Sequence, residues 1–380
     1  MARARVTLFL GCIMLLACSS SGSRSGMRSS ASESAPGPAS ASTAFVYVSG
    51  GDGKITRFVL NEQTGALSAR TVFDAGAGPS FLAVAPDGRT LFAVNETQPG
   101  QLSSFAIQPG SGDLTLINRT SSGGDGPAHL SLDHSGRWIF AANYGGGTSA
   151  VAPIRSDGTL GAPTSIVASG EKSHYITVSP DNRFVLVACL GPNHIAQYRF
   201  DDATGMLTPN SPATLVIPGT NPGPRHLAFH PNGHLAFLMN ELSSTVTALK
   251  YDGSTGLLSV IHTVSALPIA VPGNTGAEVQ VHPNGRYLYS SNRGHNSIAV
   301  FSVDQTSGRL ALIGNTPTGG RTPRHFSLNQ SGTMLFVANQ GSGNVVAMRV
   351  NSDGTLTTLG EVATGLTAPQ FVSVVRVPVR

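Results

Sequence analysis

The sequence predicts an all-β protein, a seven-bladed β-propeller with four antiparallel strands in each blade. Two short motifs recur along the chain, each repeating unit holds about four β-rich runs, and no segment has the pattern of an amphipathic helix. Gly (45) and Pro (24) are abundant among the 380 residues, and charged residues make up only 12%. This composition is typical of many short strands joined by tight turns.

The first motif is a tight turn followed by an apolar run that ends in a polar pair. It occurs in six copies: "PDGRTLFAVNE" (86–96), "HSGRWIFAANY" (134–144), "PDNRFVLVACL" (180–190), "PNGHLAFLMNE" (231–241), "PNGRYLYSSNR" (283–293) and "QSGTMLFVANQ" (330–340). We expect each copy to be the turn and second strand of one blade.

The second motif is a turn that ends in leucine, such as "TGAL" (64–67) or "DGTL" (353–356). It occurs seven times, and successive copies lie between 46 and 52 residues apart. Seven units of four strands predict a propeller rather than a sandwich.

The chain termini account for the difference between six and seven copies. The first unit has "FVYVSGGDGKITRFVL" but no preceding turn-and-strand motif, and "PQFVSVVRVPV" (369–379) stands at the far end of the chain. We expect this last strand to complete the first blade, because ring closure removes exposed strand edges.

The N-terminal segment is typical of an exported protein. Residues 1–18, "MARARVTLFLGCIMLLAC", combine arginines with an apolar stretch too short to span a membrane, and the ending is similar to a bacterial lipobox. We expect a lipoprotein signal with lipidation at Cys18, a flexible tether over 19–43 and the propeller over 44–380. The predicted location is periplasmic, on the outer membrane through the lipid alone; the alternative is ordinary signal cleavage with a spare cysteine.

The composition also limits the partners. The formal charge is +4, and no basic run is interleaved with aromatic residues, which argues against nucleic acid. Cys189 is the one cysteine left after Cys12 and Cys18, so the domain has no internal disulfide. We expect a monomer that takes a small molecule.

Aligning the blades predicts which residues meet. The start of each inner strand and the end of the second strand lie at the same end of their hairpin, so these positions converge on one mouth of the central channel. The first position of the inner strands holds Ser80, Ala128, His174, Arg225, Ala277, Arg324 and Gln370. The second position holds Phe81, His129, Tyr175, His226, Glu278, His325 and Phe371.

This face collects His, Arg, Asn and Glu and no lysine, whereas surface residues without a role would be rich in Lys and Glu. Such groups suit a small anionic or oxygen-rich ligand. The candidate substrate-binding residues are His129, Asn143, His226, Asn240, Glu278, Asn292, Arg324, His325, Asn339 and Gln340. The alternative for the asparagines is a structural one, capping a turn in each repeat.

Five segments together resemble the seven-bladed lactonase propellers, a family that includes a bacterial type of 6-phosphogluconolactonase and the fungal carboxy-muconate cyclases. They are "PAHLSLDHSGRWIFAANYGGG" (127–147), "SHYITVSPDNRFVLVACLGPNHI" (173–195), "GPRHLAFHPNG…LMNE" (223–241), "GAEVQVHPNGRYLYSSNRG" (276–294) and "TPRHFSLNQSG…VANQ" (322–340). The resemblance covers about residues 44–378. It implies that the catalytic residues are His174, Arg225, Glu241 and Arg293.

Lactone opening needs a base for water, a donor to the oxyanion and an acid for the leaving alkoxide. His174 or Glu241 can be the base, and Arg225 and Arg293 can hold the oxyanion or an anionic group of the substrate. The same residues could run the reaction in the lactonising direction, as the cyclases do.

Other chemistries lack their motifs. There is no G-x-S-x-G elbow, no phosphate loop opening a helix and no H-E-x-x-H spacing, so we expect neither metal nor cofactor. A second function class stays open, a non-catalytic propeller that binds a ligand or protein at the outer membrane, since fold alone does not decide function.

Overall fold

The computed structural model describes residues 42–379, which form 28 β-strands in seven four-stranded sheets. These residues include no helix, and therefore none that could cross a membrane. All strand neighbours within a sheet are antiparallel. The predicted all-β, seven-bladed propeller is confirmed.

In six of the seven blades, consecutive strands run from the channel outward. In chain order they are β1 (Ser42–Gly50), β2 (Lys54–Leu60), β3 (Leu67–Asp74), β4 (Leu82–Val84), β5 (Thr90–Asn95), β6 (Gln101–Ile107), β7 (Leu114–Ser121), β8 (Pro127–Leu132), β9 (Trp138–Asn143), β10 (Thr148–Pro153), β11 (Ser165–Ala168), β12 (Ser173–Val178), β13 (Phe184–Cys189), β14 (His194–Asp201), β15 (Met206–Val216), β16 (Pro224–Phe229), β17 (Leu235–Asn240), β18 (Thr245–Asp252), β19 (Leu257–Ser265), β20 (Gly276–Val281), β21 (Tyr287–Asn292), β22 (Ser297–Val303), β23 (Leu310–Pro317), β24 (Pro323–Leu328), β25 (Met334–Asn339), β26 (Asn344–Val350), β27 (Leu356–Ala363) and β28 (Pro369–Pro378).

The first blade is built from both ends of the chain, in the order β28-β1-β2-β3, and the other six blades are consecutive quartets from β4–β7 to β24–β27. β28 pairs with β1 from Pro378 opposite Ser42 to Pro369 opposite Gly50, as expected for ring closure. β1 begins at Ser42, two residues before the predicted start of the propeller at 44. The predicted leader with Cys18, and most of the tether, lie outside the described residues.

The hydrophobic core is divided among the blade interfaces. Seven buried apolar clusters occur, one between each pair of neighbouring blades, including the pair that closes the ring. The second strands are covered on both faces by adjacent blades, and all six residues of β17 are buried. The outermost strands alternate, as in β7, because one of their faces meets solvent.

The turns of the first motif lie at the end of the channel opposite the predicted mouth. Each contains a residue with positive φ, which is glycine in five copies and Asn182 (φ 61°) in the third. Asparagine is one of the few other residues that tolerate this backbone region. The turn therefore keeps the same backbone conformation even where the glycine is replaced by asparagine.

Candidate functional site

At the start of the inner strands, two consecutive side chains both face the channel because the strand has a β-bulge there. In β16, Pro224 lies opposite Asn240 and His226 opposite Met239, so Arg225 is the extra residue. Regular pleating would send neighbouring side chains to opposite faces, and a bulge re-aims one of them. Five further inner strands are bulged at the same place, at Ala128, His174, Ala277–Glu278, Arg324 and Gln370.

The bulges create two layers of side chains, which we name by their position. The entrance ring consists of Ser80, Ala128, His174, Arg225, Ala277, Arg324 and Gln370. The plug ring, one residue further along each strand, consists of Phe81, His129, Tyr175, His226, Glu278, His325 and Phe371. Members of both rings line a small cavity at the mouth, with about 10 Å³ accessible to the centre of a water molecule.

The plug ring is a closed circle of contacts across the channel. Successive ring centroids are 4.1 Å apart for Phe81–His129, 4.0 Å for His129–Tyr175, 5.1 Å for Tyr175–His226, 4.2 Å for His325–Phe371 and 4.6 Å for Phe371–Phe81. Glu278 completes the circle, with its Oε2 2.9 Å from Nδ1 of His226 and 3.1 Å from Nε2 of His325. The plug separates the mouth from a vestibule of about 710 Å³ at the opposite end.

Glu241 binds two arginines at the mouth. It follows β17, and its carboxylate lies 2.9 Å from Nε of Arg225 and 2.7 Å from a terminal nitrogen of Arg293, which follows β21 of the next blade. Arg225 also donates to the carbonyl of Ala277, and Arg293 to that of Gly276. Burial favours the neutral carboxyl, but the two guanidinium groups outweigh it and hold the pKa of Glu241 below its ordinary value.

Arg225 is unusual because only 2% of its surface is exposed. Burial, followed by repulsion from Arg293, lowers its pKa, while Glu241 opposes that shift. A buried charge without a partner would be costly, so the ion pair with Glu241 is what makes this position tolerable.

His174 lies beside this ion-pair cluster, with 6% of its surface exposed. Burial, and then the charges of Arg225 and Arg324, hold its pKa well below 6.5, so the imidazole is neutral at ordinary pH. Its ring packs edge-on against Tyr144 (5.6 Å) and His226 (5.2 Å). Nδ1 is buried and has no hydrogen-bond partner among residues 42–379.

The structure thus brings together the four residues that the resemblance implied: His174, Arg225, Glu241 and Arg293 converge on one mouth. Arg324 belongs to the same entrance ring, and within residues 42–379 it has no ion pair. Gln340 is half-buried at the end of β25. Four candidate substrate ligands, His129, His226, Glu278 and His325, lie deeper, in the plug ring.

The four predicted asparagines have a different environment. Asn143, Asn240, Asn292 and Asn339 are fully buried. Their amide groups donate to neighbouring loops and strands, to the carbonyls of Ser122, Ala266 and Thr318 in three blades and to the hydroxyls of Thr245 and Thr247 in the fourth. These bonds favour the structural alternative: Asn143, Asn292 and Asn339 hold the loop that enters the inner strand, and Asn240 holds the next strand of its own blade.

Two mouth residues were not among the candidates. Tyr144 contacts the ring of His174, and Ser80 of the entrance ring has a buried hydroxyl without a partner in the described chain. The signal was available, since Tyr144 occupies the position after the second strand that Glu241 and Arg293 occupy in their blades. No group of three or more His, Cys, Asp or Glu side chains in 42–379 is arranged to hold a metal ion.

Comparison with known proteins gives a consistent family. The model of the family described as lactonase, 7-bladed beta-propeller, matches residues 43–375. A 6-phosphogluconolactonase of Bacillus subtilis is 34% identical over 326 residues, covering 82% of this chain and 92% of that protein. A 6-phosphogluconolactonase of Formosa agariphila is 33% identical, covering 77% of this chain and 87% of its own.

A solved structure agrees with these sequence relatives. The periplasmic gluconolactonase of Pseudomonas aeruginosa superposes with a TM-score of 0.80 at 28% identity, covering 88% of this chain and 100% of that one. The sequence relatives, the family match and the shared ring of blades all agree. The chain belongs to the lactonase family of seven-bladed β-propellers.

Proposed function

We propose that this protein is a lactonase that hydrolyses the ester bond of a sugar-acid lactone without a metal. The observation that carries this proposal is a neutral, buried His174 next to two arginines that Glu241 holds together. The names of its relatives, 6-phosphogluconolactonase and gluconolactonase, support the reaction class.

In the first step His174 acts as the base. It takes a proton from water as the water oxygen attacks the lactone carbonyl carbon, and the carbonyl electron pair moves onto oxygen. In the second step that pair re-forms the carbonyl and the ring C–O bond breaks. The proton on His174 passes to the departing ring oxygen, so water and lactone give the hydroxy acid.

Glu241 is the positioning group rather than the base. A carboxylate whose oxygens contact Arg225 (2.9 Å) and Arg293 (2.7 Å), and whose pKa is lowered by them, accepts a proton poorly. Fixed guanidinium donors suit the developing oxyanion, because they need no reorganisation during the reaction. We therefore propose His174, rather than Glu241, as the base.

Arg324 supplies the remaining positive charge at the mouth. Glu241 compensates one of the two arginines that it binds, and Arg324 adds a further cation with no ion pair in the described chain. We assign it to an anionic group of the substrate or product, such as the carboxylate of the sugar acid. Gln340 belongs to the same proposed substrate-binding set.

The expected leader places this chemistry outside the cytoplasm. Residues 1–18 read as a lipoprotein signal with Cys18 lipidated, and a structural relative is a periplasmic gluconolactonase. We therefore propose a periplasmic monomer, tethered to the outer membrane by lipid alone, that acts on an unphosphorylated aldonolactone and contacts no nucleic acid.

The test is lactone hydrolysis by the purified domain, measured against the spontaneous rate on aldono-, phosphoglucono- and aromatic lactones. Wild type should exceed that rate on an aldonolactone, and His174→Ala and Glu241→Ala should lose the excess. His234→Gln, an exposed turn residue on the opposite face, is the control. If wild type only matches the spontaneous rate on every lactone, the binding-protein alternative replaces this proposal.

A further inference from the structure

The plug contains a polar cluster that packing does not require. Positions equivalent to Glu278 and His226 hold Phe81, Tyr175 and Phe371 in other blades, so aromatic rings suffice to close the channel. Glu278 is only 5% exposed and His226 only 2%. Burying a carboxyl and an imidazole costs folding free energy unless they are well paired, and apolar replacements are often more stable.

The polar cluster of Glu278 and His226 extends from the plug ring toward His174 at the mouth. Oε2 of Glu278 contacts Nδ1 of His226 at 2.9 Å, which orients that ring. Its other nitrogen, Nε2, is buried and has no partner in the described chain, and the same is true of Nδ1 of His174. The two imidazole centroids are 5.2 Å apart, and the rings meet edge-on.

Both histidines line the small mouth cavity, with Ser80, whose hydroxyl is also unpartnered among the described residues. The cavity has about 10 Å³ accessible to the centre of a water molecule, which is about the space that one water occupies. A single bridging water, or a small rotation of either ring, would join Nε2 of His226 to Nδ1 of His174.

We propose that Glu278 and His226 form a buried proton relay behind His174 that sets its tautomer and accepts its Nδ1 proton as Nε2 takes the proton of water. This inference rests on the proposed lactonase reaction. Glu278 and His226 are positioning residues in this proposal, because they act on the reaction through His174.

The proton accounting follows from the tautomers. An ionised Glu278 accepts from Nδ1–H of His226, so Nε2 of His226 accepts from Nδ1–H of His174, and Nε2 of His174 is free to take the proton of water. As it does so, the Nδ1 proton of His174 moves to His226, and the Nδ1 proton of His226 moves to Glu278. The three transfers reverse when the leaving alkoxide is protonated, so the chain returns to its starting state.

The electrostatic surroundings support a carboxyl that exchanges a proton near neutrality. Burial raises the pKa of Glu278 to about 8, with Arg225 opposing the shift. The groups that face Glu278 are His226 and Arg225 from β16, His325 from β24 and Tyr175 from β12. Those that face His174 are Arg225, Arg293, Arg324, His129, His226 and Tyr144.

A protonated Glu278 would donate to an imidazole and reverse the tautomers, which removes the free lone pair on His174. We therefore expect kcat/KM, after subtraction of spontaneous hydrolysis, to rise with pH through an apparent pKa near 8. Glu278→Gln should lower kcat by about 10²-fold, leave KM within about 2-fold and abolish this rise, while Glu278→Asp should restore part of it.

His226→Phe is a matched test, because phenylalanine occupies the equivalent plug position in two other blades, at Phe81 and Phe371. It should lower kcat as much as Glu278→Gln does, and the double variant should be no worse than either single one. His234→Gln serves as the control, and thermal melting checks that each variant is folded. Additive losses, or a Glu278→Gln enzyme with the wild-type kcat and pH profile, would refute the relay and leave the proposed function intact.

Nitrogen-15 NMR of the histidine rings gives a readout that does not need turnover. Above the apparent pKa the wild type should carry the His174 proton on Nδ1, and Glu278→Gln should shift it toward Nε2. If wild type hydrolyses no lactone, the proposed function fails, and this measurement still decides whether the relay exists. An unchanged tautomer in Glu278→Gln would overturn it.

Discussion

The two ends of the channel differ because one has the larger cavity and the other has the arginine side chains. The vestibule opposite the mouth is large, about 710 Å³, but small uncharged side chains such as Ala83, Ser131 and Ala228 line much of it, and no lysine or arginine of the described chain does. The mouth cavity is far smaller, about 10 Å³, yet it is lined by His174, Arg225 and Arg324. Converging arginine side chains, not size, distinguish the mouth as the candidate site.

The difference has a structural origin. The same strands line both ends, but beyond the bulge they return to regular pleating, so only every second side chain, such as Ala228 of β16, faces the vestibule, while Leu227 packs in the core between blades. At the bulge two successive side chains per blade reach the channel, so polar groups are concentrated there.

Replacing the proposed base should give the largest difference in kcat between a variant at the mouth and a variant in the vestibule. His174→Asn should lower kcat by about 10²–10⁴-fold, because the general base is lost while the volume is nearly kept. Ser327→Ala, in the wall of the vestibule, should leave kcat and KM unchanged. Steady-state hydrolysis of an aldonolactone measures both, and a comparable loss from both variants would place the reaction elsewhere.

Removing the charge of Glu241 should destabilise the mouth. Glu241→Gln leaves Arg225, 2% exposed, and Arg293 without their carboxylate, and we expect a loss of about 3–5 kcal/mol in the free energy of unfolding. The control is Asp202→Asn, which breaks the exposed pair with Arg137 and should cost less than about 1 kcal/mol. Urea unfolding gives both values, and equal costs would contradict the assignment.

Arg324→Met should affect binding rather than turnover. Losing this cation should raise KM about 10-fold for a lactone that carries a carboxylate or phosphate, with kcat within about 2-fold, since one charge-assisted hydrogen bond is worth about 1.5–3 kcal/mol. An uncharged lactone should show little change in KM. The same rise for charged and uncharged lactones would mean that Arg324 shapes the site instead of binding the anion.

The pH dependence of stability should have its maximum near pH 7. His129, His174, His226 and His325 have lowered pKa values, so below about pH 6.5 the unfolded chain takes up protons that the folded chain refuses, and stability falls. The pKa of Glu278 is raised to about 8, so stability also falls as pH rises toward 8, because the unfolded carboxyl has already ionised.

Each group changes the free energy of unfolding by at most about 1.4 kcal/mol per pH unit. The four histidines act together below about pH 6.5, whereas Glu278 acts alone above it, so stability should fall more steeply on the acid side. Chemical denaturation between about pH 5 and pH 9 measures the curve. Glu278→Gln should remove the alkaline decline and keep the acid one. Persistence of the alkaline decline in this variant would show that another group is responsible.

The repeat motifs were sufficient to predict the architecture and much of the site. The chain has seven repeats, the first lacks a strand and the last strand has no partner in its own repeat. These three features predict the ring and the pairing of β28 with β1. The aligned strand starts and ends are sufficient to predict that His174, Arg225, Glu241 and Arg293 meet at one mouth. Tyr144 shares the position of Glu241 and Arg293 in the repeat, but an aromatic residue there is as compatible with packing as with a site.

What the sequence alone determined is the number of blades, how they close and which residues reach the same end of the channel, because these follow from periodicity and strand direction. Only the tertiary structure decided what those residues do there. Bulges turn Arg225 and His226 into the same channel, Glu241 pairs with arginines from two blades, and Asn240 turns inward to its own blade. These outcomes depend on backbone irregularities and on contacts between blades, and both depend on distances that a linear order of residues does not contain.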